Sequence, residues 1–82
     1  MTAKLTITHN GKTVNTFEYD GEKALLELSK VLLWKIDKVN KCNVWVTYTS
    51  NGEKALNAKA LVNSETTYNY HFSGSELSNI LQ

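Results

Sequence analysis

Residues 21–41 read GEKALLELSKVLLWKIDKVNK, and this stretch decides the fold. Its apolar residues recur every three or four positions, which is the spacing of one face of an α-helix. At about 100° per residue, five of them fall on one line along the helix. We expect this line to face the core, and its members are Leu25, Leu28, Leu32, Ile36 and Val39.

Trp34 lies roughly opposite that line, among charged residues. A large aromatic side chain on the outer face of a helix is typical of an anchor for a partner protein. We therefore predict a contact surface around Trp34, with cover by the C-terminal segment as the alternative. The other members of this predicted surface are Glu27, Lys30, Lys38 and Lys41.

The apolar arc of this helix is wider than contact with one sheet requires. Leu26 and Leu33 extend it on one flank, and Ala24 and Val31 extend it on the other. The arc spans roughly 200°, whereas a single packed face needs about 100°. We expect either a C-terminal helix or a partner to cover the surplus.

The rest of the chain has the pattern of β-hairpins. Asn10-Gly11 and Asn51-Gly52 separate alternating runs, and both residue types tolerate the positive φ of tight turns. Two further strands are predicted around residues 56–62 and 67–72. The element order becomes ββαβββα, an α+β fold. Its sheet is antiparallel-rich, one long helix packs across one face, and a short helix ends the chain.

Two local details follow from the same patterns. A strict two-residue turn at Asn10-Gly11 would place Phe17 on the sheet face opposite the helix, so a β-bulge is needed to bring it back. Ser73 and Glu76 have the spacing of a capping box, which predicts that the C-terminal helix begins there.

The sheet face away from the long helix is predicted to carry mostly threonine, asparagine and lysine, as solvated sheet faces do. Trp45 and Leu61 break this pattern. If they are exposed, both are candidate anchors for a partner, but the pattern does not require exposure. Cover by the C-terminal helix or by a second copy of the chain is the alternative.

Composition disfavours several classes of function. The 82 residues make one domain, residues 1–82, with a net charge of +1. All the basic residues are lysine, which weighs against sequence-specific DNA recognition because arginine is its usual reader. One cysteine and two histidines form no structural zinc set, and no catalytic constellation stands out, so we expect no enzyme activity and no cofactor. No apolar run is long enough for a membrane span, and a cytoplasmic location is expected.

The chain contains nine asparagines, nine lysines and no arginine. This composition resembles that of small accessory proteins encoded by bacteriophages and mobile elements of low-GC bacteria. The resemblance implies a non-enzymatic protein that binds a host protein, such as a defence nuclease, and inhibits it by occluding its surface. One alternative is a single-stranded nucleic-acid-binding module that uses Trp45 with Lys4 and Lys59. Another is a self-associating subunit of a larger assembly, including a homodimer.

Overall fold

A computed structural model describes residues 1–37 and 41–81. These residues form helices and strands in the predicted order ββαβββα, so the α+β fold class is confirmed. In chain order the elements are β1 (Thr2–His9), β2 (Lys12–Asp20), α1 (Glu22–Asp37), β3 (Cys42–Tyr48), β4 (Lys54–Leu61), β5 (Thr66–Ser73) and α2 (Leu77–Ile80).

The strands form one sheet in the order β2-β1-β5-β4-β3, and all neighbouring strands are antiparallel. The strands on either side of α1 in the chain, β2 and β3, therefore lie at the two edges of the sheet. α1 has to cross the sheet to join them, and it contacts β1, β2, β3 and β4. We call the sheet face that packs against α1 the helix side, and the opposite face the outer sheet face.

The first hairpin contains the bulge that the sequence pattern required. Asn10-Gly11 forms the turn, with φ angles of 51° and 80°. The register between β1 and β2 shifts after Ile7, and the extra residue in β2 is Val14. Phe17 consequently pairs with Leu5 and shares the helix side with it.

The core lies between α1 and the helix side of the sheet. The sheet contributes large side chains, among them Leu56, Tyr70 and Phe72, none more than 5% exposed. α1 contributes smaller ones, because Ala24 and Val31 are both fully buried. The aromatic rings fill the space beneath the helix, so the helix face with small side chains is the one that can approach the sheet closely.

The predicted rotation of α1 about its axis is therefore wrong. Leu28 is buried as expected, but Leu25, Leu32 and Ile36 are 43%, 37% and 71% exposed. Val39, the last member of the predicted core line, lies outside the described residues. Periodicity located the helix, but α1 has two apolar faces. In the structure, the face that carries Ala24, Leu28 and Val31 packs against the sheet.

The C-terminal helix begins later than predicted, and the predicted capping box is wrong. Ser73 is still part of β5, and its Oγ lies 3.0 Å from the Oγ1 of Thr2 on the neighbouring strand. α2 begins at Leu77, and its N-cap residue, Glu76, makes no side-chain capping hydrogen bond. Leu77 is fully buried, so α2 is held by packing, and it contacts β4.

Candidate partner-binding surface

The outer face of α1 is an exposed apolar surface. Five large aliphatic side chains on it are between 37% and 71% exposed. At about 100° per residue they fall within an arc of roughly 120°, on the side of the helix away from the sheet. We call this surface the leucine face, and it consists of Leu25, Leu26, Leu32, Leu33 and Ile36.

Two polar side chains next to the leucine face already have hydrogen-bond partners. Ser29 lies in the middle of the face, and its Oγ donates to the carbonyl oxygen of Leu25 at 3.1 Å. Lys30 lies on one flank, and its Nζ donates to the Oε1 of Glu27 at 3.0 Å. Covering the leucine face would therefore leave neither group without a partner.

Trp34 lies on the face of α1 that packs against the sheet, not on the outer face of the helix. The indole is half-buried against the core, and its ring centroid is 5.8 Å from that of Tyr68 in β5. The prediction of an outward-facing anchor is wrong, because the ring packs within the chain. Its cover comes from the sheet rather than from the C-terminal helix.

Glu27 also lies beneath α1 and not on the predicted contact surface. Glu27 as a whole is 8% exposed, and its carboxylate accepts a hydrogen bond from the hydroxyl of Tyr70 at 3.2 Å. Burial raises the pKa of the Tyr70 hydroxyl, and the neighbouring carboxylate raises it further. Tyr70 therefore stays protonated and donates this bond throughout the neutral pH range.

The predicted lysines do not form one patch with Trp34. Lys30 is exposed, but its amine is paired with Glu27. Lys38 lies outside the described residues. Lys41 is exposed, and it lines a shallow groove of about 180 Å³ together with Trp34, Cys42, Leu61 and Val62. The structure thus brings Trp34, Lys41 and Leu61 together around this groove, apart from the leucine face.

Cys42 has the environment of an inert thiol. It is 4% exposed, and burial raises its pKa, although the charge of Lys35 lowers it to a smaller extent. A protonated, buried thiol is a poor nucleophile. His71, the other half of a conceivable nucleophile–base pair, pairs with Asn57 on the outer sheet face, opposite the side that holds Cys42.

The outer sheet face is open at the two apolar residues that break its polar pattern. Trp45 and Leu61 are 47% and 46% exposed, so α2 covers neither of them. Trp45 borders a groove of about 210 Å³ whose lining includes Lys4, Asn57 and His71. The Oδ1 of Asn57 lies 2.8 Å from the Nδ1 of His71, which fixes these two polar side chains beside the indole.

Sequence analysis did not identify the leucine face as a candidate binding surface, although the sequence contained evidence for one. The apolar arc of α1 was too wide for one sheet contact, and a surplus of this kind requires a second covering surface. The choice of which half faces the sheet depended on residues far away in the sequence, such as Tyr68 and Tyr70. Local periodicity does not contain that information.

Within residues 1–37 and 41–81, no helix is long and apolar enough to cross a membrane. The same residues contain no cluster of three histidine, cysteine or acidic side chains that could hold a metal ion. Comparisons with protein-family models, curated proteins and solved structures find no match. The function of the chain is therefore inferred from its own residues.

Proposed function

We propose that this chain is a non-enzymatic, cytoplasmic protein-binding module and that the leucine face is its contact surface. The observation that supports this proposal is the exposure of five large aliphatic side chains along one face of α1. Leaving apolar surface in water costs roughly 25 cal/mol per Å². A contiguous apolar patch on a small domain therefore marks an interaction site more often than a solvated surface.

The backbone geometry favours binding as well. The side chains of the leucine face are carried by a regular helix that is fixed to the sheet through Ala24, Leu28 and Val31. A partner does not have to order this segment, so little conformational entropy is lost on binding. Helices with such a face commonly bind in an apolar groove or against another helix.

In its more specific form, the proposal is that the chain is encoded by a phage or mobile element and inhibits a host protein by occluding its surface. The asparagine- and lysine-rich composition supports this origin. Trp45 and Leu61 on the outer sheet face provide a second exposed area that a large partner could also contact.

Capture from a lysate of a low-GC bacterium, with tagged protein as bait, tests this function. Leu33→Glu introduces a carboxylate into the leucine face at a residue that is 58% exposed, so the fold should be retained. Val14→Glu is the matched control, because Val14 is an aliphatic residue on β2 that is 60% exposed.

We expect the wild type and Val14→Glu to retain the same partner and Leu33→Glu to lose it. Loss of a central anchor commonly costs about 2 kcal/mol or more, which is roughly a 30-fold weaker affinity. Equal capture by both variants would show that the partner binds elsewhere, and the leucine face would be rejected as the contact surface.

The outer sheet face supports single-stranded nucleic-acid binding as a second candidate function. The exposed indole of Trp45 lies beside a groove with Lys4, and exposed aromatic and cationic side chains are what base stacking and phosphate contact require. Tryptophan fluorescence would be followed during titration with an oligonucleotide at low and at high salt. A change at low salt that is absent in Trp45→Ala supports this function, and no change at low salt removes it.

A further inference from the structure

We infer that, in the absence of another partner, the leucine face binds a second copy of this chain, with the two α1 helices packed antiparallel across a two-fold axis at Ser29. This inference rests on the proposed function, since it names the occupant of the same surface. It begins with a symmetry in the sequence. Leu25 and Leu33 lie four residues before and after Ser29, and Leu26 and Leu32 lie three residues before and after it.

A two-fold interface requires a patch that is complementary to itself. When two α1 helices run antiparallel with Ser29 at the crossing point, Leu25 of one copy lies beside Leu33 of the other. Leu26 lies beside Leu32 in the same way. Each of the eight leucines then has an apolar neighbour on the other helix. All of them lie within about 6 Å of the two-fold axis, measured along the helix, because each residue advances the helix by about 1.5 Å.

Ser29 is suited to the centre of such an interface. Its side chain is small, so the two backbones can approach to the roughly 8–10 Å at which helices pack. Its hydroxyl already donates to the carbonyl oxygen of Leu25 at 3.1 Å. Burial between two helices therefore leaves no unpaired hydroxyl, which would otherwise cost about 1–3 kcal/mol in stability.

The charges of α1 favour the antiparallel direction. Glu22, the first residue of the helix, lies on the same side as the leucine face. Parallel packing would place the two Glu22 carboxylates next to each other. Antiparallel packing separates them by about 21 Å, and each lies near Ile36 of the other copy at the rim. It also places the helix dipoles in the favourable opposite orientation.

The size of the leucine face sets the expected strength of the dimer. A standard interface takes about 800 Å² from each partner, which is about one-seventh of the 5510 Å² surface of this chain. One helix face supplies less than this. We therefore expect a reversible dimer with a dissociation constant in the micromolar range.

Sedimentation equilibrium over a concentration range of about 5–500 µM tests the dimer directly. We expect the wild type and Val14→Glu to pass from monomer to dimer within this range. Leu33→Glu should remain monomeric, with an unchanged far-UV circular dichroism spectrum that shows the fold is retained. A monomeric wild type throughout, or a dimer that Leu33→Glu leaves intact, would overturn the inference.

Cysteine cross-linking in a Cys42→Ala background tests the axis and the direction of packing. Ser29→Cys should form an intermolecular disulfide on mild oxidation, because the two residues meet at the axis. Ile36→Cys should not, since antiparallel packing holds the two copies of this residue about 21 Å apart, far beyond the roughly 7 Å limit between disulfide-bonded Cα atoms. Cross-linking of Ile36→Cys as well as Ser29→Cys would indicate parallel packing and contradict the proposed geometry.

Failure of this inference can be told apart from failure of the proposed function. If the wild type is monomeric and Leu33→Glu still abolishes capture of another protein, the leucine face binds a different partner and the function stands. If the wild type is monomeric and Leu33→Glu changes neither capture nor association, both are refuted.

Discussion

The rotation of α1 determines which face is exposed, and Glu27→Ala tests that rotation. If the helix were turned as its leucine periodicity suggested, Glu27 would be solvated and its replacement would change stability by no more than about 0.5 kcal/mol. In the structure Glu27 is 8% exposed, and its carboxylate accepts hydrogen bonds from Tyr70 and Lys30. Its removal should therefore be costly.

The cost can be estimated from these two contacts. A hydrogen bond to a charged group contributes about 1.5–3 kcal/mol, and a buried hydroxyl left without a partner costs about 1–3 kcal/mol. These two contributions cannot simply be added. The amine of Lys30 costs little, because its side chain is exposed and water can replace the lost carboxylate. We expect Glu27→Ala to lower the free energy of unfolding by about 2–3 kcal/mol, which is roughly 8–24 °C in Tm for a domain of this size.

Urea denaturation of a double-mutant cycle with Tyr70→Phe measures the contact. Tyr70→Phe removes the hydroxyl that Glu27→Ala would leave unpaired, so the double variant should be more stable than the sum of the single effects by about 1–2 kcal/mol. Glu53→Ala, at an exposed loop residue, is the control and should be nearly neutral. Additive effects, or a neutral Glu27→Ala, would show that α1 does not present this face to the sheet.

Two further predictions concern the contacts between α1 and the sheet. Trp34→Ala should destabilise the fold by about 1.5–3 kcal/mol, because the half-buried indole packs on Tyr68; a thermal melt that matches the wild type would contradict this packing. Stability at high pH should depend on Tyr70, whose pKa is raised in the folded state. The unfolded chain releases this proton above about pH 10 while the folded chain keeps it, so stability is full below that pH and falls by up to about 1.4 kcal/mol per unit above it. Tyr70→Phe should show a shallower decline in urea midpoint with rising pH, and parallel declines in the two proteins would refute the assignment.

Much of the fold could be predicted because its signals are local. The Asn10-Gly11 and Asn51-Gly52 turns, the alternation of the strands and the helical spacing of residues 21–41 are all read within a few neighbouring residues. The need for a bulge in β2 was also predictable, because without it Phe17 would lie on the sheet face opposite Leu5. Its place at Val14 was not, since it depends on how β1 and β2 pair.

The site could not be predicted to the same degree because it depends on distant contacts. Both faces of α1 are apolar, and hydrophobicity favoured the leucines for the core. The sheet reversed this choice, because Tyr70 donates its hydroxyl to Glu27 over a separation of 43 residues and Tyr68 packs against Trp34. Ser73 was similarly misassigned, since its pairing with Thr2 keeps it in the sheet and away from α2.

Methyl NMR tests most directly whether the leucine face is the contact surface. Spectra of protein with labelled leucine and isoleucine methyl groups would be compared between dilute and concentrated samples, and with the captured partner. We expect the methyl signals of the leucine face to shift or broaden, while those of the buried Leu28 and Leu56 stay unchanged. Changes confined to Leu61, or none on the leucine face under either condition, would contradict the claim that α1 binds through its outer face.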